Sequence, residues 1–291
     1  MRFPTAVTIR AEQPVPGGRC WRVELALEGA AVPAVLLLPS GGPDGPDADA
    51  RRGPRIVPRG QVLSAPRRAR RPVHGAPAAV LLHGYASRTE LMADTVGAAL
   101  LQHGIGSLAI DLPLHGDREG PLQDQARYNP LLLLRQWRLA LAETRGALRL
   151  LGVLEGVDRG RLALVGYSMG AYVAVMVAAE EPAARAVVLA AGGDLPDRTP
   201  LAHLVRRMAD PLRAVRRLHG RPLLMVHGRH DRTVRAEQAE RLFAAAGEPK
   251  TIRWWDAGHQ LPDRAIDDAA TWLAQALDGE RRQAGAPGEA E

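Results

Sequence analysis

The chain has 291 residues, 46% apolar and 24% charged, with a formal net charge of +6. That length can bury one sizeable core as a single α/β domain. An ordinary glycine and proline load excludes collagen and a wholly disordered chain, and a single cysteine, Cys20, excludes a disulfide scaffold and a cysteine-built zinc site.

The first residues, Met1 to Ala6, lack an apolar signal core. No apolar run approaches the roughly 18 residues of a membrane helix, so a cytoplasmic protein is expected. Residues 19–27 alternate in part and predict a strand, with a hairpin partner at 32–38. Residues 41–76 then read as an Arg/Pro/Gly-rich insertion, flexible and without periodicity. Eight arginines and three aspartates give this segment +5 of the total +6, so the rest of the chain is nearly neutral. No aromatic residue interleaves those arginines to stack on bases, so a solvated linker is expected there and nucleic-acid binding is not.

From Ala78 the pattern changes. Short apolar runs at 78–82, 105–110, 161–166, 186–191, 222–227 and 251–255 predict strands. Helical stretches lie near 88–103, 131–154, 169–180, 235–246 and 263–277, and a polar tail over 280–291 is expected to be disordered. Alternating strands and helices with near-continuous apolar strands predict an α/β fold, a parallel sheet covered on both faces. Ser87-Arg-Thr-Glu90 fits a capping box for the first of these helices. A small helical cap is expected within 192–220.

The strongest chemical signal is Gly166-Tyr-Ser168-Met-Gly170, a G-x-S-x-G between an apolar strand and an apolar helical run. A sharp strand-to-helix turn needs small residues on either side while the serine hydroxyl stands clear of the sheet. In these residues the chain resembles the alpha/beta-hydrolase superfamily, and its layout looks most like the dienelactone hydrolase-like and serine esterase branch. Dienelactone hydrolases carry a cysteine nucleophile, so Ser168 points to the serine esterases. The resemblance covers about residues 20–38 and 77–277. It implies a mostly parallel eight-stranded sheet flanked by helices, an N-terminal pair of strands in residues 1–40, and a hydrolase core over 77–279.

The resemblance also implies the triad order serine, acid, histidine. Asp231 follows the strand 222–227 and matches the acid, with Asp194 as its rival after the preceding strand. His259, the last histidine of the chain, matches the base. The oxyanion donors are then expected at the backbone of Met169, after the nucleophile, and of Tyr85, in the His83-Gly84-Tyr85 turn. His83 itself reads as a structural residue of that turn. The loop 110–118 faces the same sheet edge, where His115 and Arg118 are candidate substrate contacts. A His227/His230/Asp231 metal site is formally possible but lacks further ligands. The implied activity is hydrolysis of a small-molecule ester with no cofactor and no metal. Peptidase, amidase, thioesterase or an idle ligand-binding homologue are the alternatives.

Overall fold

The computed structural model describes residues 7–40, 75–118, 129–196, 206 and 209–284. The insertion expected at 41–76 lies outside them apart from its last two residues, as do residues 285–291.

The described strands are β1 (Val7–Val15), β2 (Gly18–Leu27), β3 (Ala30–Pro39), β4 (Ala76–Leu82), β5 (Gly106–Ile110), β6 (Val157–Tyr167), β7 (Ala184–Ala190), β8 (Leu223–Gly228) and β9 (Lys250–Trp255). They form one sheet in the order β1-β2-β3-β5-β4-β6-β7-β8-β9. The first three are antiparallel, and β3 is antiparallel to β5. Every other pairing is parallel. Side chains alternate between faces. In β4, Ala78, Val80 and Leu82 enter one core and Ala79 and Leu81 the other. Both faces are buried, which is why these strands read as unbroken apolar runs.

The sheet has one strand more than the eight expected. The addition, β1, is an edge strand whose residues are mostly exposed, so it lacks the apolar content that marks a buried strand. Pairing with β2 forms it, from Val7 opposite Leu25 to Val15 opposite Gly18. The connecting turn is Pro16-Gly17, with Gly17 at φ +82°, a backbone conformation suited to glycine.

Helix α1 runs over 89–102, with a π-helical turn at Ala93–Gly97. It shares one face with α6 (Asp263–Ala284), burying Met92, Leu100 and Leu273. The helices α2 (Pro130–Leu151), α3 (Met169–Glu180), α4 (Pro211–Arg216) and α5 (Ala236–Ala245) cover the other. Leu148, Val173, Val215 and Leu242 supply their core contacts. Asn129 caps α2 by accepting from the Leu131 and Leu132 N–H groups at 3.1 Å, with Pro130 in the first turn, where its missing N–H costs nothing. The capping box expected at Ser87 does not form. The residue preceding α1 is Arg88, with no side-chain cap, and the Thr89 N–H donates instead to Asp111 Oδ1 at 2.8 Å. A carboxylate from the loop after β5 thus satisfies the helix start. Among the described residues no helix is long and apolar enough to cross a membrane. Of the expected cap, the structure shows α4; residues 197–205 and 207–208 lie outside the described set.

Candidate active site

The site sits where the parallel strands end, the edge at which open α/β sheets bind ligands. Strand β6 ends at Tyr167 and α3 begins at Met169, leaving Ser168 alone in the turn at φ 51° and ψ −111°. Such a conformation is strained for a residue with a side chain, by about 1–3 kcal/mol. The surroundings enforce it. The Ser168 N–H donates to Ala190 O at 2.8 Å, and the Ser168 carbonyl accepts from the Ala171 N–H at 3.0 Å. A Cβ on Gly166 would stand 2.2 Å from Gly170 O, and one on Gly170 would stand 2.2 Å from Leu82 O. Both motif glycines are therefore required by backbone contact.

His259 lies in the loop between β9 and α6. Its Nε2 is 2.9 Å from Ser168 Oγ and its Nδ1 is 2.7 Å from Asp231 Oδ2. An ionised carboxylate only accepts, so this pairing puts the ring proton on Nδ1 and leaves Nε2 with its lone pair toward the serine. Asp231 follows β8, and its Oδ1 accepts from the N–H groups of Thr233 at 2.8 Å and Val234 at 3.0 Å. The His259 loop can close on β8 because Gly228 has no side chain; a Cβ there would stand 2.1 Å from Gly258 O.

The structure brings the three expected residues together and gives the rival acid another task. Asp194 is buried, with Arg206 donating to both its oxygens at 3.0 Å and Arg241 Nε to one at 3.1 Å. Burial alone would raise its pKa, but these guanidinium bonds hold the carboxyl below the usual range. His227 is buried, with Nε2 donating to Val234 O at 2.8 Å, and burial lowers its pKa. His230 pairs at the surface with Asp256. Among the described residues no group of three or more His, Cys, Asp or Glu is placed to hold a metal.

The turn after β4 lies against Ser168: a Cβ on Gly84 would sit 3.4 Å from Ser168 Cβ. His83 shapes this turn. Its Nδ1 donates to Gly84 O at 2.7 Å and its Nε2 accepts from the Leu112 N–H at 3.0 Å. Both bonds need the neutral ring, and burial lowers the His83 pKa to about 4. The Tyr85 side chain is 54% exposed and meets the His115 ring edge-on at 5.2 Å. His115 is buried behind Tyr85 and donates from Nδ1 to Pro113 O at 2.8 Å.

Arg118, expected as a substrate contact, is engaged elsewhere. Its guanidinium forks onto Glu143 at 2.6 and 2.8 Å and also donates to Asp111 O at 3.0 Å. The Glu143 side chain is wholly buried, and burial pushes its carboxyl up against the stabilising pull of Arg118. The pair ties the loop after β5 to the middle of α2. Removing one partner of a buried pair costs about 3–5 kcal/mol. Arg118→Ala is therefore expected to lower the unfolding free energy by that order, read as a lower denaturant midpoint at unchanged slope, and a midpoint equal to wild type would show the pair is not structural.

Two residues of the site leave only faint traces in a linear reading. Asp111 accepts from the Thr89 N–H through one oxygen and from the Asp117 N–H through the other. Tyr167 donates its hydroxyl to the His259 carbonyl and accepts from the Leu261 N–H. A tyrosine beside Ser168 and an aspartate closing a turn are those traces.

Residues 79–273 match the sequence profile of the alpha/beta hydrolase family. The chain belongs to that family. It is 27% identical over 229 residues to Esterase YjfP of Escherichia coli (strain K12), covering 69% of this chain and 89% of that one. It is 29% identical over 180 residues to the uncharacterized protein Rv2307c of Mycobacterium tuberculosis (strain ATCC 25618 / H37Rv), covering 60% of this chain and 59% of that one. Among solved structures, this alpha/beta hydrolase overlays on a cold-adapted esterase from an Arctic intertidal metagenomic library with TM-score 0.64 at 19% identity, covering 93% and 99% of the two chains. Acetyl xylan esterase 1 from Thermoanaerobacterium sp. JW/SL YS485 also gives TM-score 0.64, at 18% identity and 94% and 88% coverage. At such identities the overlays establish the fold alone.

Proposed function

We propose that this alpha/beta hydrolase cleaves small carboxylic esters through an acyl-enzyme formed on Ser168. The observation that carries the reading is the continuous hydrogen-bond chain from Ser168 Oγ through His259 to Asp231, at 2.9 and 2.7 Å. Neutral His259 Nε2 takes the hydroxyl proton as Oγ attacks the ester carbonyl carbon. Asp231 holds the imidazolium through Nδ1–H. The carbonyl oxygen, now an oxyanion, accepts from the backbone N–H groups of Met169 and Tyr85, and the start of α3 favours its charge. His259 then protonates the leaving alkoxide, and the alcohol departs. Water, deprotonated by the same nitrogen, attacks the acyl carbon and releases the acid, restoring Ser168. None of these steps calls on a metal or an organic cofactor.

The name of the relative Esterase YjfP favours esters over the other substrates open to such a triad. The test is a panel of chromogenic esters, thioesters and aminoacyl amides of varied acyl length. Turnover confined to esters supports the reading. Turnover of amides or thioesters with no ester cleaved moves it to a peptidase, amidase or thioesterase.

Domain organisation gives a further expected result. Strand β3 is antiparallel to β5, and β4 is parallel to β5, so Pro39 and Ala76 both lie at the edge where the parallel strands begin. Ser168 lies at the opposite edge. A short Gly/Ser loop in place of 41–74 should leave ester turnover within about threefold, since loop closure changes by only about 0.6 kcal/mol per doubling of length. A replacement that stays folded by circular dichroism yet loses most of its turnover would place the segment in the active site.

A further inference from the structure

The side chain of His259 is held at both ring nitrogens, but its backbone rides on a loop and needs its own anchor. Tyr167 supplies one. It is the last residue of β6 and directly precedes Ser168. Its hydroxyl donates to the His259 carbonyl and accepts from the Leu261 N–H at 3.2 Å, so it grips the loop on both sides of Gln260. Its ring stands edge-on to the imidazole, with centroids 5.9 Å apart. Its backbone oxygen is 3.6 Å from where a Cβ on Gly84 would sit. One residue therefore touches the turn after β4, adjoins the nucleophile and holds the base. Beneath it lies a pocket walled by Val165, Val188, Val226, Leu261 and Ile266 together with the Tyr167 ring. These walls offer no polar side chain to replace the hydroxyl. Burial also raises the phenol above its ordinary pKa, so the hydroxyl keeps the proton it donates.

We infer that the Tyr167 hydroxyl is a positioning group that straps the His259 loop to the nucleophile's own strand and so sets the Ser168–His259 distance. The inference rests on the triad reading above and concerns how the base is aligned, not what is bound. Misplacing a reacting group by about 1 Å can lower a rate about 100-fold. Tyr167→Phe keeps the ring and deletes only the strap. It is expected to lower kcat about 10- to 100-fold with KM within about twofold. Reaction of Ser168 with a fluorophosphonate probe should slow in parallel, while the number of sites finally labelled stays that of wild type. A purely structural role would instead reduce the labelled fraction and leave the rate per labelled site unchanged.

A second measurement needs no variant. In the wild-type protein the Leu261 amide, bonded to the phenol, should exchange with solvent at least about tenfold more slowly than the Gln260 amide beside it. A Phe variant with wild-type kcat and labelling rate, or a Leu261 amide exchanging as fast as that of Gln260, would overturn the inference. A wild type that is never labelled at Ser168 would sink the triad reading, and Leu261 exchange would then still decide whether the strap exists.

Discussion

Replacing Ser168 by alanine should lower turnover about 1,000-fold or more, leaving only what binding and the oxyanion donors supply. Alanine retains the Cβ, and the contacts that enforce the turn are backbone ones, from Ala190 O and from the packing of Gly166 and Gly170. The fold should therefore survive, and the loss should appear in kcat with a thermal midpoint near that of wild type. A fluorophosphonate probe should label the wild-type protein once, at Ser168, because among the described residues only that hydroxyl faces His259 Nε2 within hydrogen-bond distance. Mass spectrometry of the labelled peptide checks this. Full labelling of the alanine variant at another residue would remove Ser168 from the nucleophile's role.

Asp231→Asn should be nearly as damaging, for a reason that lies in the direction of its hydrogen bonds. Oδ1 accepts from the Thr233 and Val234 N–H groups, so an amide must place its oxygen there. Its NH2 then falls at the Oδ2 position, 2.7 Å from His259 Nδ1. An NH2 group donates, which drives the ring proton to Nε2, where it can no longer take the proton of Ser168. The wrong tautomer at such a position lowers kcat by about 10,000-fold in the well-known serine protease case, and a loss of about 1,000-fold or more is expected here. Asp194→Asn is the contrasting variant. It loosens a buried carboxylate held by Arg206 and Arg241 and should reduce stability while leaving turnover per folded molecule close to wild type. The opposite pattern, with Asp194→Asn inactive and Asp231→Asn active, would move the acid to the earlier strand.

The glycines of the elbow show why part of the site is legible in the amino-acid sequence alone. A turn this tight puts backbone oxygen within 2.2 Å of any Cβ at Gly166 or Gly170. The constraint acts between residues four apart and on the neighbouring strand end, so it is written locally as G-x-S-x-G. The parallel strands are legible for a similar reason: burial on both faces leaves a continuous apolar run. The order of Ser168, Asp231 and His259 along the chain then follows the order in which those strands end.

Side-chain partners across the fold are a different matter. Arg118 sits in a loop that faces the substrate edge, and composition alone makes it a plausible ligand for a substrate. Only the packing of α2 beside that loop brings buried Glu143, 25 residues away, under its guanidinium. The start of α1 carries a local sequence that fits a capping box, yet Asp111, 22 residues on, takes the Thr89 N–H. Tyr167 reaches the His259 loop across 92 residues. The edge strand β1 exists because β2 offers it an unpaired ladder, not because its own pattern demands burial. The sequence by itself determined the α/β layering and the serine turn, because each rests on a periodicity or a steric limit within a few residues, while the order of the candidate triad came from the family resemblance that this turn carries. Tertiary structure decided the outer strand, the cap of α1, the use of Arg118 and the strap on His259, because those depend on which polar groups become neighbours once the sheet has closed water out between them.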